Sequence, residues 1–278
     1  MSDESTLDSF ETFAEGKEWY DVFYHEVIES LGLSEQRDID SRDLLSKLLI
    51  EKPPPNLTEI DDAIRGKVSL LMGAGPSAET DILGLEGWIN SERPFIAAAD
   101  GAADALLARD IEADAILTDL DSCSEIVLLE QSAKGKPIIV HAHGDNLNLI
   151  ESIVPKLGPG VLGSTQVMPV QNIVNIGGFT DGDRTGYFLA HFSPRIIVIA
   201  GMDLGPVEGS FSKARVKTAQ DNRSKDFRKI KLGWGKRSLE YLVSKHPDIQ
   251  FLNSTRWGVE IQGTKSVDYM QLKKQCTS

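Results

Sequence analysis

The chain has 278 residues, is 41% hydrophobic and 26% charged, and carries a formal net charge of -13. That length supports one large core with an accessory segment, or two compact units. It contains no apolar run long enough to span a membrane, and its acidity argues against a nucleic-acid surface, which draws most of its affinity from phosphate contacts. Cys123 and Cys276, the only cysteines, make neither a disulfide framework nor a thiolate metal cage. The acidic start, Met1-Ser2-Asp3-Glu4-Ser5, lacks the order of a signal peptide, so a reducing cytoplasm is the expected compartment.

Residues 1–65 read as helical. Tyr20, Phe23, Tyr24, Val27, Ile28 and Leu31 recur at the spacing of one helix face, and Gly32 suits its stop. A second helix is expected around Leu44, Leu45, Leu48 and Leu49, capped by Asp40 or Ser41 and ended by Pro53-Pro54-Pro55. This region is expected to form a helical cap on a catalytic domain spanning 66–278. From Lys67 onward the pattern becomes short apolar runs separated by turns and helical stretches. Strands are expected at 68–72, 95–98, 115–117, 137–140, 173–176, 196–200 and 249–252. Several are apolar throughout, as in strands covered on both faces. The fold class is therefore α/β, a mainly parallel Rossmann-like sheet with helices on both faces. Ligands of such sheets bind beyond the carboxyl ends of the strands.

The residues after each expected strand carry the chemistry. Gly73-Ala74-Gly75-Pro76-Ser77 follows the first; it is either a tight connection or a phosphate-approaching turn into a helix. Asp100-Gly101-Ala102 follows the second, with Asp100 either a ribose ligand or a helix cap. Thr118-Asp119-Leu120-Asp121-Ser122 follows the third. Two carboxylates so close to an apolar interior repel each other unless a cation is shared, and magnesium takes such oxygen ligands; the alternative is a solvated Asx turn. His141-Ala142-His143-Gly144-Asp145-Asn146 follows the fourth, with Asp145 a further magnesium or substrate ligand and the histidines lining the pocket. The fifth is followed by Gly177-Gly178-Phe179-Thr180-Asp181-Gly182-Asp183-Arg184, where Arg184 suits a phosphate clamp. The sixth is followed by Gly201-Met202-Asp203. Acids thus recur after five successive strands, which points to a cation-assisted site. No P-loop occurs. Lys213, Arg215, Lys217 and Arg223, in a basic stretch running to Arg237, are either a phosphate lid or a solvated loop.

At these residues the chain resembles the thiamine pyrophosphokinases and, more closely, the archaeal 6-hydroxymethyl-7,8-dihydropterin pyrophosphokinases. The resemblance runs through the Gly73 turn, Ala99-Asp100-Gly101-Ala102, Thr118-Asp119-Leu120-Asp121, His141-Ala142-His143-Gly144-Asp145-Asn146 and Gly177 to Arg184, covering roughly residues 65 to 235. Thr118 replaces the glycine of the thiamine enzymes' GDxDS, and a single Asp145 replaces their later aspartate pair; both departures favour the pterin enzymes. The resemblance implies transfer of diphosphate from ATP to the hydroxymethyl group of a reduced pterin, releasing AMP, in folate or methanopterin synthesis. It implies magnesium on Asp119 and Asp121, with Asp145 a third candidate. Gly73, Gly75, Pro76 and Ser77 would approach ATP, together with Gly101, Ser122, Gly177, Gly178 and Asp203. Arg184 would hold phosphates, and Asp100 with Asp181 or Asp183 would contact ribose or pterin. Thiamine pyrophosphokinase, a DxD-type glycosyltransferase and a non-catalytic nucleotide sensor are the alternatives. Nothing in the sequence excludes a homo-oligomer.

Overall fold

A computed structural model describes residues 13–205, 207, 209–211 and 225–277. The chain opens with α1 (Ala14–Trp19), a π-helical turn (Tyr20–Tyr24), α2 (His25–Leu31), α3 (Glu35–Leu49) and α4 (Leu57–Ile64). Gly32 ends α2 in the left-handed region, φ 60, as its position predicts. The second helix starts earlier than expected. Ser34 is the cap, its Oγ accepting from Arg37 N–H, and Asp40 and Ser41 lie inside α3. A polar first turn hid that start: Asp38 carries no apolar signal, yet it is buried and faces the protein.

The remainder alternates strand and helix: β1 (Val68–Met72), α5 (Ala78–Glu92), β2 (Phe95–Ala99), α6 (Ala102–Leu107), β3 (Ala115–Thr118), α7 (Glu125–Ala133), β4 (Ile138–Ala142) and α8 (Leu147–Ile153). Then come β5 (Val161–Thr165), β6 (Ile173–Val174), α9 (Asp181–His191), β7 (Ile196–Ala200), α10 (Lys225–Lys245), β8 (Gln250–Asn253), β9 (Lys265–Ser266) and α11 (Tyr269–Thr277). The nine strands form one sheet in the order β6-β5-β4-β3-β2-β1-β7-β8-β9, and every pair is parallel. The seven expected strands are present. β5 and β9 are additional, so the strand expected fifth is the sixth and lies at the sheet edge.

The continuous apolar runs resolve into two alternating faces. Leu70, Met72, Ile96, Ala98, Ile116 and Val140 pack under α5 to α8, whereas Leu71, Ala97, Leu117, Ile139 and Ile197 pack under α9 and α10. The N-terminal helices join both cores. Leu45 and Leu49 of α3 enter the first; Trp19, Phe23, Tyr24 and Val27 enter the second. Each such large apolar side chain contributes roughly 1.5–3 kcal/mol by leaving water, and Trp19 Nε1 also donates to Ser238 Oγ of α10 at 3.0 Å. The helical region is thereby fixed against the sheet and α10, and the start of α3 reaches the carboxyl end of β4, where Gly144 N–H donates to Asp38 Oδ1 at 2.7 Å. No helix among the described residues is long and apolar enough to cross a membrane.

Candidate active site

The tip of β3 is the centre of the site. Asp100, Asp119 and Asp121 each bring a carboxylate oxygen within 4.8 Å of the others. The backbone that presents them is strained, since Asp100 (φ 47) and Leu120 (φ 74) both occupy the left-handed region without being glycine. Thr118 holds that geometry. Its Oγ1 donates to Asp100 Oδ1 at 2.6 Å and accepts from Leu120 N–H at 2.8 Å. Cys123 N–H gives a second bond to Asp100 Oδ1, and Ser122 Oγ donates to Asp121 Oδ1.

The three acids are electrostatically unequal. Burial, then the charges of Asp119 and Asp121, push Asp100 well above the usual carboxyl range. Burial and the Asp119 charge push Asp121 up to about 6. Burial also opposes the Asp119 charge, but the hydrogen bond and charge of His143, with Lys231 behind them, outweigh it and hold that pKa low. His143 Nε2 lies 3.2 Å from Asp119 Oδ2. Such a set of close, mutually repelling oxygen donors fits a hard divalent cation, whose charge would relieve the repulsion.

A cleft opens beside Asp119, between α3, the β4 end, the start of α9 and α10. Both histidines line it, as expected from the sequence. Arg184 is buried there, donating to Asp181 Oδ1 at 3.1 Å and to Phe179 O at 3.0 Å. Asp181, raised to about 7 by burial and then by Asp119 against the pull of Arg184, stands at the head of α9. Lys231 of α10 also lines the cleft and has no ion-pair partner among the described residues.

The remaining expected residues fall into other roles. Asp145 lines the cleft but lies outside the acidic triad, paired with Arg37 at 3.2 Å. Asp100 takes the third place in the cluster that the sequence offers to Asp145. Asp183 is turned into the protein, where it accepts from Phe179 N–H and Thr180 N–H, each at 2.7 Å, as part of the capping box of α9. Gly178 permits that packing, because a Cβ there would stand 2.5 Å from Arg184 Cα; one on Gly177 would meet the Tyr187 ring at 2.6 Å.

At the Gly73 turn the chain's own acid fills the anion position. Asp203 Oδ2 accepts from both Ser77 N–H (3.1 Å) and Ser77 Oγ–H (2.8 Å) at the start of α5. Gly73 and Gly75, on either side of Ala74 and before Pro76, press on the β7 turn: a Cβ on either would come within 2.6 Å of Gly201 O. Gly101 is likewise constrained, by Phe211 O. Lys213, Arg215, Lys217 and Arg223 lie outside the described residues.

Four cleft residues carried no readable signal. Asp38 and Arg37 sit in a polar helix turn, and Gln166 follows a strand whose polar composition hides it. Lys231 is one of many cations in a basic stretch, and only the packing of α10 singles it out.

A family model described as 6-hydroxymethylpterin diphosphokinase MptE-like matches residues 46–209. Three relatives carry the name 6-hydroxymethyl-7,8-dihydropterin pyrophosphokinase. That of Methanocaldococcus jannaschii is 37% identical over 244 residues, covering 85% of this chain and 98% of the relative. That of Methanothermobacter thermautotrophicus is 31% identical over 220 residues, 79% of this chain and 92% of the relative. That of Pyrococcus furiosus is 34% identical over 197 residues, 71% and 81%. Among solved structures, the Maf glycosyltransferase from Magnetospirillum magneticum AMB-1 superposes with a TM-score of 0.56 at 15% identity. The match covers 86% of this chain but only 39% of that one, and it is a likeness of fold alone. By the family match and the extent of these identities, the chain belongs to the MptE-like 6-hydroxymethylpterin diphosphokinase family.

Proposed function

We propose that the chain transfers diphosphate from ATP to the hydroxymethyl oxygen of 6-hydroxymethyl-7,8-dihydropterin, with Mg2+ held by Asp100, Asp119 and Asp121. The observation that carries the reading is the carboxylate triad whose Asp119 lines a cleft that also holds Arg184 and Lys231. The names of the relatives supply the acceptor. In the reaction the alcohol oxygen bonds to the β-phosphorus, and the bond from that phosphorus to the oxygen bridging the α-phosphorus breaks. AMP leaves with that oxygen, and the hydroxyl proton is released.

Little covalent work falls to the protein in such a transfer; positioning and charge neutralisation dominate. Bound at the triad, Mg2+ would supply positive charge against the phosphate oxygens. Lys231 and Arg184 add fixed cations from the other walls of the cleft, where water is partly excluded and their effect is strengthened. Asp181, with its pKa near neutrality, is the side chain assigned to receive the hydroxyl proton. The product, a reduced pterin diphosphate, suits folate- or methanopterin-type cofactor synthesis.

The test is incubation with ATP and Mg2+ and, in parallel, the pterin alcohol, thiamine or no acceptor, scored for AMP and diphosphorylated product. Product with the pterin alone, lost on chelation, is expected. Calorimetric titration of Mg2+ into the chain gives a second readout that needs no turnover. Absence of AMP with the pterin would overturn the reading.

A further inference from the structure

On the β4 strand next to the acidic triad, one buried polar atom lining the cleft is left without a hydrogen-bond partner. His141 is buried; its Nδ1 lies 3.0 Å from Ser164 Oγ, and its Nε2 makes no hydrogen bond. Gln166 stands beside it but gives its amide N–H to Asp38 Oδ2 at 2.8 Å. A buried ring nitrogen left unpaired costs free energy, and a ligand group that meets it recovers that cost. Burial, then the charges of Arg184 and His143, hold His141 well below the usual histidine pKa. The ring is therefore neutral, and its Nε2 offers one hydrogen bond to a ligand group.

Asp38 completes this wall. Its Oδ1 accepts from Gly144 N–H at 2.7 Å, and its Oδ2 accepts from Tyr24 Oη–H at 3.1 Å as well as from Gln166. A carboxylate oxygen accepts two hydrogen bonds, so Oδ1 keeps one acceptor position. The π-helical turn is what brings Tyr24 to Asp38, and such turns are frequent at functional sites. Leu33, Phe179 and Phe227 supply apolar surface to the same cleft. Apolar faces with a few convergent polar groups suit a flat heteroaromatic ring read along one edge.

We propose that Asp38 and His141, with Gln166 positioning Asp38, read the amino-oxo pyrimidine edge of the acceptor ring, so that the N-terminal helical region sets acceptor specificity. The amino N–H of that edge meets the open acceptor position of Asp38 Oδ1, and a ring carbonyl or ring nitrogen meets His141 Nε2. The inference rests on the pterin reading above.

The test compares wild type with His141→Ala, a change that removes the orphaned nitrogen together with the ring's contacts to Ser164 and His143. Binding of the pterin alcohol is followed by its own fluorescence without ATP or Mg2+, and the KM for ATP is measured in parallel. The expected result is a pterin affinity about 10- to 100-fold weaker, since a lost buried hydrogen bond commonly costs that much, with the KM for ATP unchanged. A second arm needs no mutation: the acceptor lacking its ring amino group binds wild type at least about 10-fold more weakly. If His141→Ala does not fold, as judged by its melting curve, the amino-deleted acceptor decides alone. Equal affinity of wild type for both acceptors, or an unchanged pterin affinity in folded His141→Ala, overturns the proposal while wild-type turnover stands. If wild type neither binds nor converts the pterin, the proposed function fails first and this inference falls with it.

Discussion

Asp121→Asn separates the cost of the acidic cluster from its use. Burial and the neighbouring Asp119 charge raise Asp121 from the usual 3.8 to about 6. A carboxyl raised that far and then ionised costs the folded state about 3 kcal/mol at pH 7.5. Its partial exposure lets solvent screen the repulsion, so about 1–2 kcal/mol is the working figure. The sign follows from the direction of the shift. Below pH 3.8 the group is neutral in both folded and unfolded chains and costs nothing. The penalty grows as pH rises from 3.8 to about 6 and is complete above that. Asparagine removes the charge while its Oδ1 can still accept from Ser122 Oγ–H. Metal-free Asp121→Asn should therefore melt about 2–6 °C above wild type at pH 7.5, with the gap closing towards pH 4. Saturating Mg2+ should reverse the order, since a ligand at 100 times its Kd stabilises by about 2.7 kcal/mol and the variant lacks one donor. Thermal melts in chelator and in Mg2+, at both pH values, make the measurement. A variant that melts at or below wild type in chelator at pH 7.5 refutes the repulsion argument, and so does a gap that persists unchanged at pH 4.

Lys231→Ala should lower kcat/KM for ATP about 10²- to 10³-fold, the scale of losing one fixed charge from a transfer site. Its melting temperature should hardly move, because Lys231 has no ion-pair partner among the described residues. Asp145→Asn should leave the Mg2+ concentration for half-maximal binding within about twofold of wild type, whatever it does to turnover through Arg37, because Asp145 is outside the triad. A Mg2+ titration checks this, and a large shift would restore Asp145 as a ligand. Gly75→Ala should destabilise by about 1–3 kcal/mol in denaturant melts, as the added Cβ would lie 2.1 Å from Asp203 Oδ2.

What the sequence reveals and what it hides divide along a physical line. Strands buried on both faces read as near-continuous apolar runs, so β1 to β4 and β7 stand out despite Ser69, Thr118 and His141, and the residues just beyond them can be read for chemistry. β5 does not stand out, because Val161-Leu162-Gly163-Ser164-Thr165 mixes glycine and hydroxyls. Its glycine is required by packing: a Cβ on Gly163 would lie 2.3 Å from Ile173 Cδ1 and 2.9 Å from Leu49 Cδ1. Its Ser164 serves His141. Asp119 and Asp121 are legible because two acids after an apolar strand are costly without a cation. Asp38 is not, because an acid in a helix turn looks solvated until α3 is docked and Gly144, Tyr24 and Gln166 close on it.

The same line explains why the triad sits where it does. Two left-handed non-glycine residues and three close carboxylates each cost of order 1–3 kcal/mol. A surface loop would relax such an arrangement by rotating one acid into water. Here relaxation is blocked from several sides. Thr118 ties Asp100 to the Leu120 backbone, Cys123 N–H holds the same oxygen, and Asn146 Nδ2 donates to both Asp119 O and His141 O, at 2.8 and 2.7 Å. Asn146 thereby couples the β3 tip to the β4 tip, and so the acidic triad to the His141 wall. A repulsive cluster at the β3 tip and an unpaired imidazole on the neighbouring β4 are thus held side by side at the cleft. Both are costs that a bound metal, a nucleotide and a flat acceptor would remove, and the rigid parallel sheet beneath them is what allows the folded chain to carry those costs beforehand.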